Sequence, residues 1–154
     1  MADMTKEEFS QSIRIYTLNM YRLAFSILRN EPDAEDAVSE AVLRAYEKLG
    51  SLHRAENFKG WILKITANEA KRIYRRNKWS SAVEWEENMS PAFYDEHHEL
   101  WDAVMKLEEG HRDVIVLYYY EQCSLKEISK ILGCREGTVK SRLYRAREQL
   151  RRMI

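Results

Sequence analysis

The chain predicts an all-α fold built as two small helical domains. The first reads as a three-helix bundle, the second as a four-helix domain with a helix-turn-helix, and a flexible linker joins them. Three observations carry that expectation. Two prolines and five glycines in 154 residues leave few interruptions. Apolar residues recur at steps of three and four rather than in alternation. A polar, acidic stretch without periodicity then divides the chain.

Phe9, Ile13, Tyr16, Met20, Leu23 and Ile27 keep helical spacing, so Lys6 to Arg29 reads as a long amphipathic helix. Pro32 sits just ahead of the next helix, with Asp33 expected as its N-cap. That helix is expected to run to about Leu49 and to turn Ala37, Val38, Ala41, Val42, Ala45 and Leu49 inward, with Gly50 stopping it. Its acidic first turn complements the helix dipole. Ser51 to Asn57 reads as a polar loop. A third helix follows from Phe58 to about Lys78, apolar through Trp61, Ile62, Ile65 and Ile73 and basic in its last turns. Residues 1–78 therefore form the first domain and residues 79–92 the linker, where Trp85 is the apolar exception. Residues 93–154 form the second domain. It is expected to hold a helix over Asp95 to Leu107, another over His111 to Glu121, and a two-helix reader.

The reader is the most informative stretch. Leu125, Ile128, Ile131 and Leu132 recur at helical spacing, Gly133 breaks the run, and Val139, Leu143 and Leu150 resume it. Ser129 is small enough for two crossing helices to approach. Gly133 supplies a turn that other residues adopt at a cost of about 1 kcal/mol. Arg135 and Glu136 fall in the first turn of the second helix, and Thr138, Lys140, Ser141, Tyr144 and Arg145 share a face suited to base edges and phosphates. A run of cations alone is usually a solvated face; the Ser129–Gly133–Val139 pattern makes a DNA reader the stronger reading.

The formal net charge is +0, yet the charge is segregated. Glu31, Asp33, Glu35, Asp36 and Glu40 form an acidic run, while Lys64, Lys71, Arg72, Arg75, Arg76 and Lys78 form a basic one against Glu69. Separate faces of opposite sign point to two kinds of partner, one of them polyanionic. One recognition helix is a small, salt-sensitive interface, and no dimerisation helix is evident. The basic third helix offers a second nucleic-acid surface, with Trp61, Tyr74 and Trp79 near Arg72, Arg75 and Arg76. The loop before it is placed to accept an extruded base.

Other classes find little support. No apolar run is long enough to span a bilayer and no signal-peptide core is present. Cys123 and Cys134 read as small packed thiols of a reducing compartment, the cytoplasm. His53, His97, His98 and His111 lack metal-ligand spacing, and no nucleophile–base arrangement presents itself. Neither enzyme, metal nor cofactor is expected. The main rival is a stand-alone helix-turn-helix regulator, which would bring a ligand pocket or phosphoacceptor domain.

DAEDAVSEAVLRAYEKL (Asp33 to Leu49), FKGWILKITANEAKRIYRR (Phe58 to Arg76) and the stretch from His111 to GTVKSRLYRAREQL at Leu150 together carry a family resemblance. The chain resembles the extracytoplasmic-function (ECF) sigma factors, bacterial promoter-recognition subunits of RNA polymerase. The resemblance implies that the first domain binds the β′ clamp helices through Asp33, Glu35, Asp36, Glu40 and Arg44. It implies that the 51–57 loop and the basic helix open the −10 element and hold a flipped base, at Asn57, Phe58, Trp61, Asn68, Lys71, Arg72, Arg75 and Arg76. The second domain would read the −35 element through Arg135, Thr138, Lys140, Ser141, Tyr144 and Arg145, and touch the β flap. An anti-sigma factor, no direct membrane insertion and a monomeric free state are implied too. Three positions depart from the family pattern: Ser39 for a usual glutamine, Arg72 for a common acidic residue, and Glu108 for a frequent proline.

Overall fold

Thr5 opens α1 (Lys6–Leu28) with a reciprocal cap. Its hydroxyl accepts from the Glu8 N–H at 3.1 Å, and Glu8 Oε1 accepts from the Thr5 N–H at 3.2 Å. Arg29 ends the helix in the left-handed region, φ 61°, and donates its N–H to the Phe25 carbonyl. This computed structural model describes residues 4–52, 54–80 and 98–154, in two units, Met1–Glu87 and Asn88–Ile154. Among the described residues every regular element is helical.

α2 (Glu31–Glu47) starts earlier than its sequence suggests. Asn30, not Asp33, is the N-cap: its Oδ1 accepts from the Asp33 N–H at 2.9 Å. Pro32 lies inside the first turn, where its missing N–H costs nothing. The helix ends at Glu47, and Leu49–Ser51 and Ala55–Asn57 form two short 3-10 turns before α3 (Phe58–Ser80). Gly50 therefore lies beyond the helix end.

Ala34, Ala37, Ala41 and Ala45 are wholly buried and form one seam along α2. The expected Val38, Val42 and Leu49 are only half-buried, because that seam, not the valines, faces the bundle. Small side chains let helices approach closely. α3 buries Phe58, Ile62, Leu63, Ala67, Ala70 and Ile73 against Phe9, Met20, Leu23, Ala24 and Ile27 of α1. Ile65 and Trp61 sit at the edge of this core.

Two polar clasps bind α2 to α3. Asp33 Oδ2 accepts from Asn30 Nδ2 at 3.0 Å and from Asn77 Nδ2 at 2.7 Å. Glu69, 8% exposed, accepts from Arg72 Nε and Nη2 at 3.0 and 2.7 Å through Oε2. Its Oε1 lies 3.4 Å from Arg44 Nε. The acidic residue expected at position 72 is thus replaced by a cation that turns back to its own helix.

The second unit contains α4 (His98–Met105), α5 (Glu109–Ile115), α6 (Leu125–Leu132) and α7 (Glu136–Met153). Glu108 precedes α5 with φ −58°, the angle proline fixes, which explains why a proline suits this position. α5 does not run on to Glu121 as a regular helix. It widens into a π turn over Val116–Tyr120, where the Glu121 and Cys123 N–H groups reach the Val116 and Leu117 carbonyls at 3.0 and 2.9 Å. Gln122 is left-handed, φ 55°. Ser124 and Glu127 form a second reciprocal cap at α6, and Gly133, φ 67°, closes that helix. Trp101, Val104, Leu107, Val114, Leu117, Ile128, Ile131, Val139, Leu143 and Ala146 fill the core. The 81–92 stretch of the expected linker, Trp85, His53 and His97 lie outside the described residues, as does the expected start of the fourth helix.

Candidate nucleic-acid and protein-docking surfaces

α6, the left-handed Gly133 and α7 build the helix-turn-helix from the residues that announced it. α7 buries Val139, Leu143 and Ala146 and leaves Lys140, Ser141, Tyr144 and Arg145 exposed on the opposite side. Tyr144 presents 67% of its surface to solvent. Thr138 is half-buried beside them, and Arg135 is the exposed N-cap rather than a first-turn residue. Leu150, expected to anchor the helix, is half-buried, and Ala146 takes that role. Ser129 is half-buried and returns its hydroxyl to the Lys126 carbonyl at 2.8 Å. Arg147 is engaged elsewhere: its Nε donates to Tyr119 Oη at 2.6 Å. An exposed ion pair at 2.7 Å joins Arg151 to Glu148.

On α3 the steps of three and four from Trp61 through Lys64, Asn68, Lys71, Arg72 and Arg75 trace one stripe, about 21 Å long from Trp61 to Arg75 at helical rise. Lys64, Asn68, Arg72 and Arg75 are exposed, and Lys71 is half-buried. Arg76 is exposed on the flank. Lys64 was missing from the expected set, although its place three residues after Trp61 and four before Asn68 marks it. Phe58 is a correction: it is 2% exposed, its ring packed on Phe9 and Tyr16 at centroid distances of 6.1 and 5.8 Å. It belongs to the core and fixes Trp61, whose ring lies 5.6 Å away. Trp61 Nε1 donates to Ser51 Oγ at 3.2 Å, tying the helix to the loop. Asn57 is exposed in that loop, beside the exposed Arg54–Glu56 pair. Trp61 lies more than ten residues from Arg72, so it does not flank the arginines as the sequence suggested; Tyr74 is half-buried.

On α2, Glu35 and Asp36 are exposed and Glu40 is half-buried. Asp33 and Arg44 are spent on the two clasps described above. Leu43, 59% exposed, and Tyr46, 47% exposed, stand on the same outer face. Leu43 lies two residues past Ala41, about 200° around the helix from the seam. An apolar residue so far out of phase was the available sequence signal.

In the second unit Leu100, Ala103, Met153 and Ile154 line an open apolar groove rimmed by Glu99, Asp102 and Lys106. Cys123 is buried and Cys134 is half-buried, and neither forms a disulfide. Among the described residues no helix is long and apolar enough to cross a membrane, and no group of three or more potential metal ligands converges.

Known families match the chain over both units. Residues 13–80 match the family described as Sigma-70 region 2, and residues 97–150 match Sigma-70, region 4. The chain is 32% identical to RNA polymerase sigma factor SigV of Bacillus subtilis over 96% of its own length and 91% of that protein's. It is 29% identical to the ECF RNA polymerase sigma factor SigW of the same organism, over 97% and 90%. Among solved structures, the sigma factor RpoE of Bartonella quintana, crystallised with the anti-sigma factor NepR, superposes with a TM-score of 0.81. That match has 25% identity and covers 95% of this chain and 96% of the other. The chain belongs to the ECF family of RNA polymerase sigma factors.

Proposed function

We propose that the first unit docks on the β′ clamp helices of core polymerase through the outer face of α2, using Glu35, Asp36, Glu40 and Leu43. Asp33 and Arg44 hold that face in place. Domain 2 would span residues 1–80, where α3 ends, the linker 81–92 and domain 4 residues 93–154. On the neighbouring helix, Trp61, Lys64, Asn68, Lys71, Arg72, Arg75 and Arg76, with Asn57 of the loop, hold the opened −10 strand. Stacking on an aromatic ring at about 1–3 kcal/mol per base offsets the cost of unpairing. The second unit reads the −35 duplex with Arg135, Thr138, Lys140, Ser141, Tyr144 and Arg145. Phosphate contacts set its position and base contacts its specificity.

The apolar groove lined by Leu100, Met153 and Ile154 suits the β flap. An anti-sigma factor that covers these surfaces fits a factor acting in the cytoplasm as a monomer when free. The bond-making chemistry belongs to the polymerase.

The observation that carries this reading is the opposed character of α2 and α3 in one small bundle. One helix is acidic and apolar outside, as a protein-docking face requires. The other is cationic and aromatic, as a strand-binding face requires. The test is transcription in vitro with purified core polymerase and the DNA upstream of the chain's own operon. Selective initiation there, absent with core polymerase alone, is the expected result; equal initiation with and without the chain sinks the proposal.

A further inference from the structure

We infer that Arg147 is a positioning residue for promoter reading: clasped by Tyr118 and Tyr119, it fixes the rotation of α7 about its own axis. It thereby sets which side chains meet the bases without touching DNA itself. The inference rests on the reading of α7 as the −35 helix.

α7 packs on α4, α5 and α6 through an apolar stripe of Val139, Leu143 and Ala146. Apolar contact is non-directional and sets the rotation of a helix less sharply than a hydrogen bond does. At a helix radius of about 5–6 Å, a roll of about 20° carries a side-chain tip roughly 2 Å. That displacement breaks a hydrogen bond to a base edge.

Polar contacts on both flanks oppose the roll. On one flank, Arg147 Nε donates to Tyr119 Oη at 2.6 Å. The guanidinium carbon lies 5.6 and 5.5 Å from the Tyr118 and Tyr119 ring centroids. On the other flank, His111 Nδ1 and Gln149 Oε1 are 3.0 Å apart, and Arg142 lies against Gly110, where an added Cβ would meet its Nε at 3.5 Å.

The first clasp is built on residues of the π turn, Val116–Tyr120. Adjacent residues of a regular helix splay by about 100°, yet the Tyr118 and Tyr119 rings meet edge to face at 4.9 Å and both flank one guanidinium. Tyr119 is half in solvent, so the pair contributes little to stability.

Holoenzyme made with the full chain is first used to select duplexes from a pool randomised over the upstream element. Affinities for the selected duplex and its single-base variants are then compared for wild type, Tyr119→Phe, Arg147→Lys and Arg147→Gln. Tyr119→Phe removes one exposed hydroxyl and Arg147→Lys keeps the charge, so both fold. Both are expected to cut single-base discrimination by about fivefold or more, with the salt dependence of binding unchanged. If instead Tyr119→Phe is silent, Arg147→Lys retains discrimination and Arg147→Gln lowers the salt slope by about one, Arg147 is a phosphate contact. Full discrimination in all three variants also overturns the proposal. Failure of the wild type to select any upstream sequence removes the −35 reading itself.

Discussion

At Asp33 one carboxylate oxygen receives both Asn30 and Asn77 side-chain amides, whereas Asp36, three residues on, faces solvent. Asp33→Ala removes one acceptor from each of those amides and is expected to cost about 1–3 kcal/mol. Asp36→Ala is expected to change stability by no more than about 0.5 kcal/mol while weakening core-polymerase binding. Denaturant unfolding and a pull-down separate the two. Tyr21 carries a pH signature. Burial first, then the Glu31 and Glu35 carboxylates, push its phenol up from 10.0 to about 12. Because the folded pKa is the higher one, the neutral phenol stabilises the fold fully below pH 10, and that contribution is lost as pH rises toward 12. Denaturation midpoints across that interval should fall more steeply for wild type than for Tyr21→Phe. Gly133 was legible in the sequence because glycine enters the left-handed turn after α6 at the least cost. The cap of α2 was not. Asn30 and Asp33 are both good capping residues three apart, and the choice depends on Asn77, 44 residues from Asp33.

Along whole elements, α2 shows how much a periodic pattern conveys. Its spacing announced an amphipathic helix, but alanines and valines are both apolar and adjacent in phase, so the pattern could not say which would be innermost. Tertiary closeness decides, and alanine wins. Ala41→Leu should therefore overpack the seam and cost about 1–3 kcal/mol, read as a lower denaturation midpoint. At the start of α5 the backbone already holds the proline angle, so Glu108→Pro should raise stability by about 0.4–1 kcal/mol through the unfolded chain. The π turn after Ile115 escaped the sequence. A run of Val116, Leu117 and three tyrosines has no local signal for it.

For the molecule as a unit, function is divided between surfaces with different chemistry, and substitutions should divide the same way. Arg145→Glu is expected to reduce −35-dependent transcription by tenfold or about that while leaving core association intact. Asp36→Ala with Glu40→Ala should weaken core association with DNA reading spared. Transcription and pull-down assays on the same preparations check both. The recognition face was legible because its exposed residues lie opposite an apolar stripe that the sequence itself defines. Phe58 and Arg44 were not, since a ring or a cation near a binding helix reads the same whether it faces a partner or the core.

The alanine seam of α2 has a mechanical consequence. Rows of single methyl groups interlock poorly, so they resist separation of the helices far better than sliding along the axis. Registry must then come from the ends, from Asp33 with Asn77 at one and Arg44 with Glu69 at the other. Cutting both latches should let α2 creep lengthwise while the bundle stays shut, carrying its acidic docking face out of alignment.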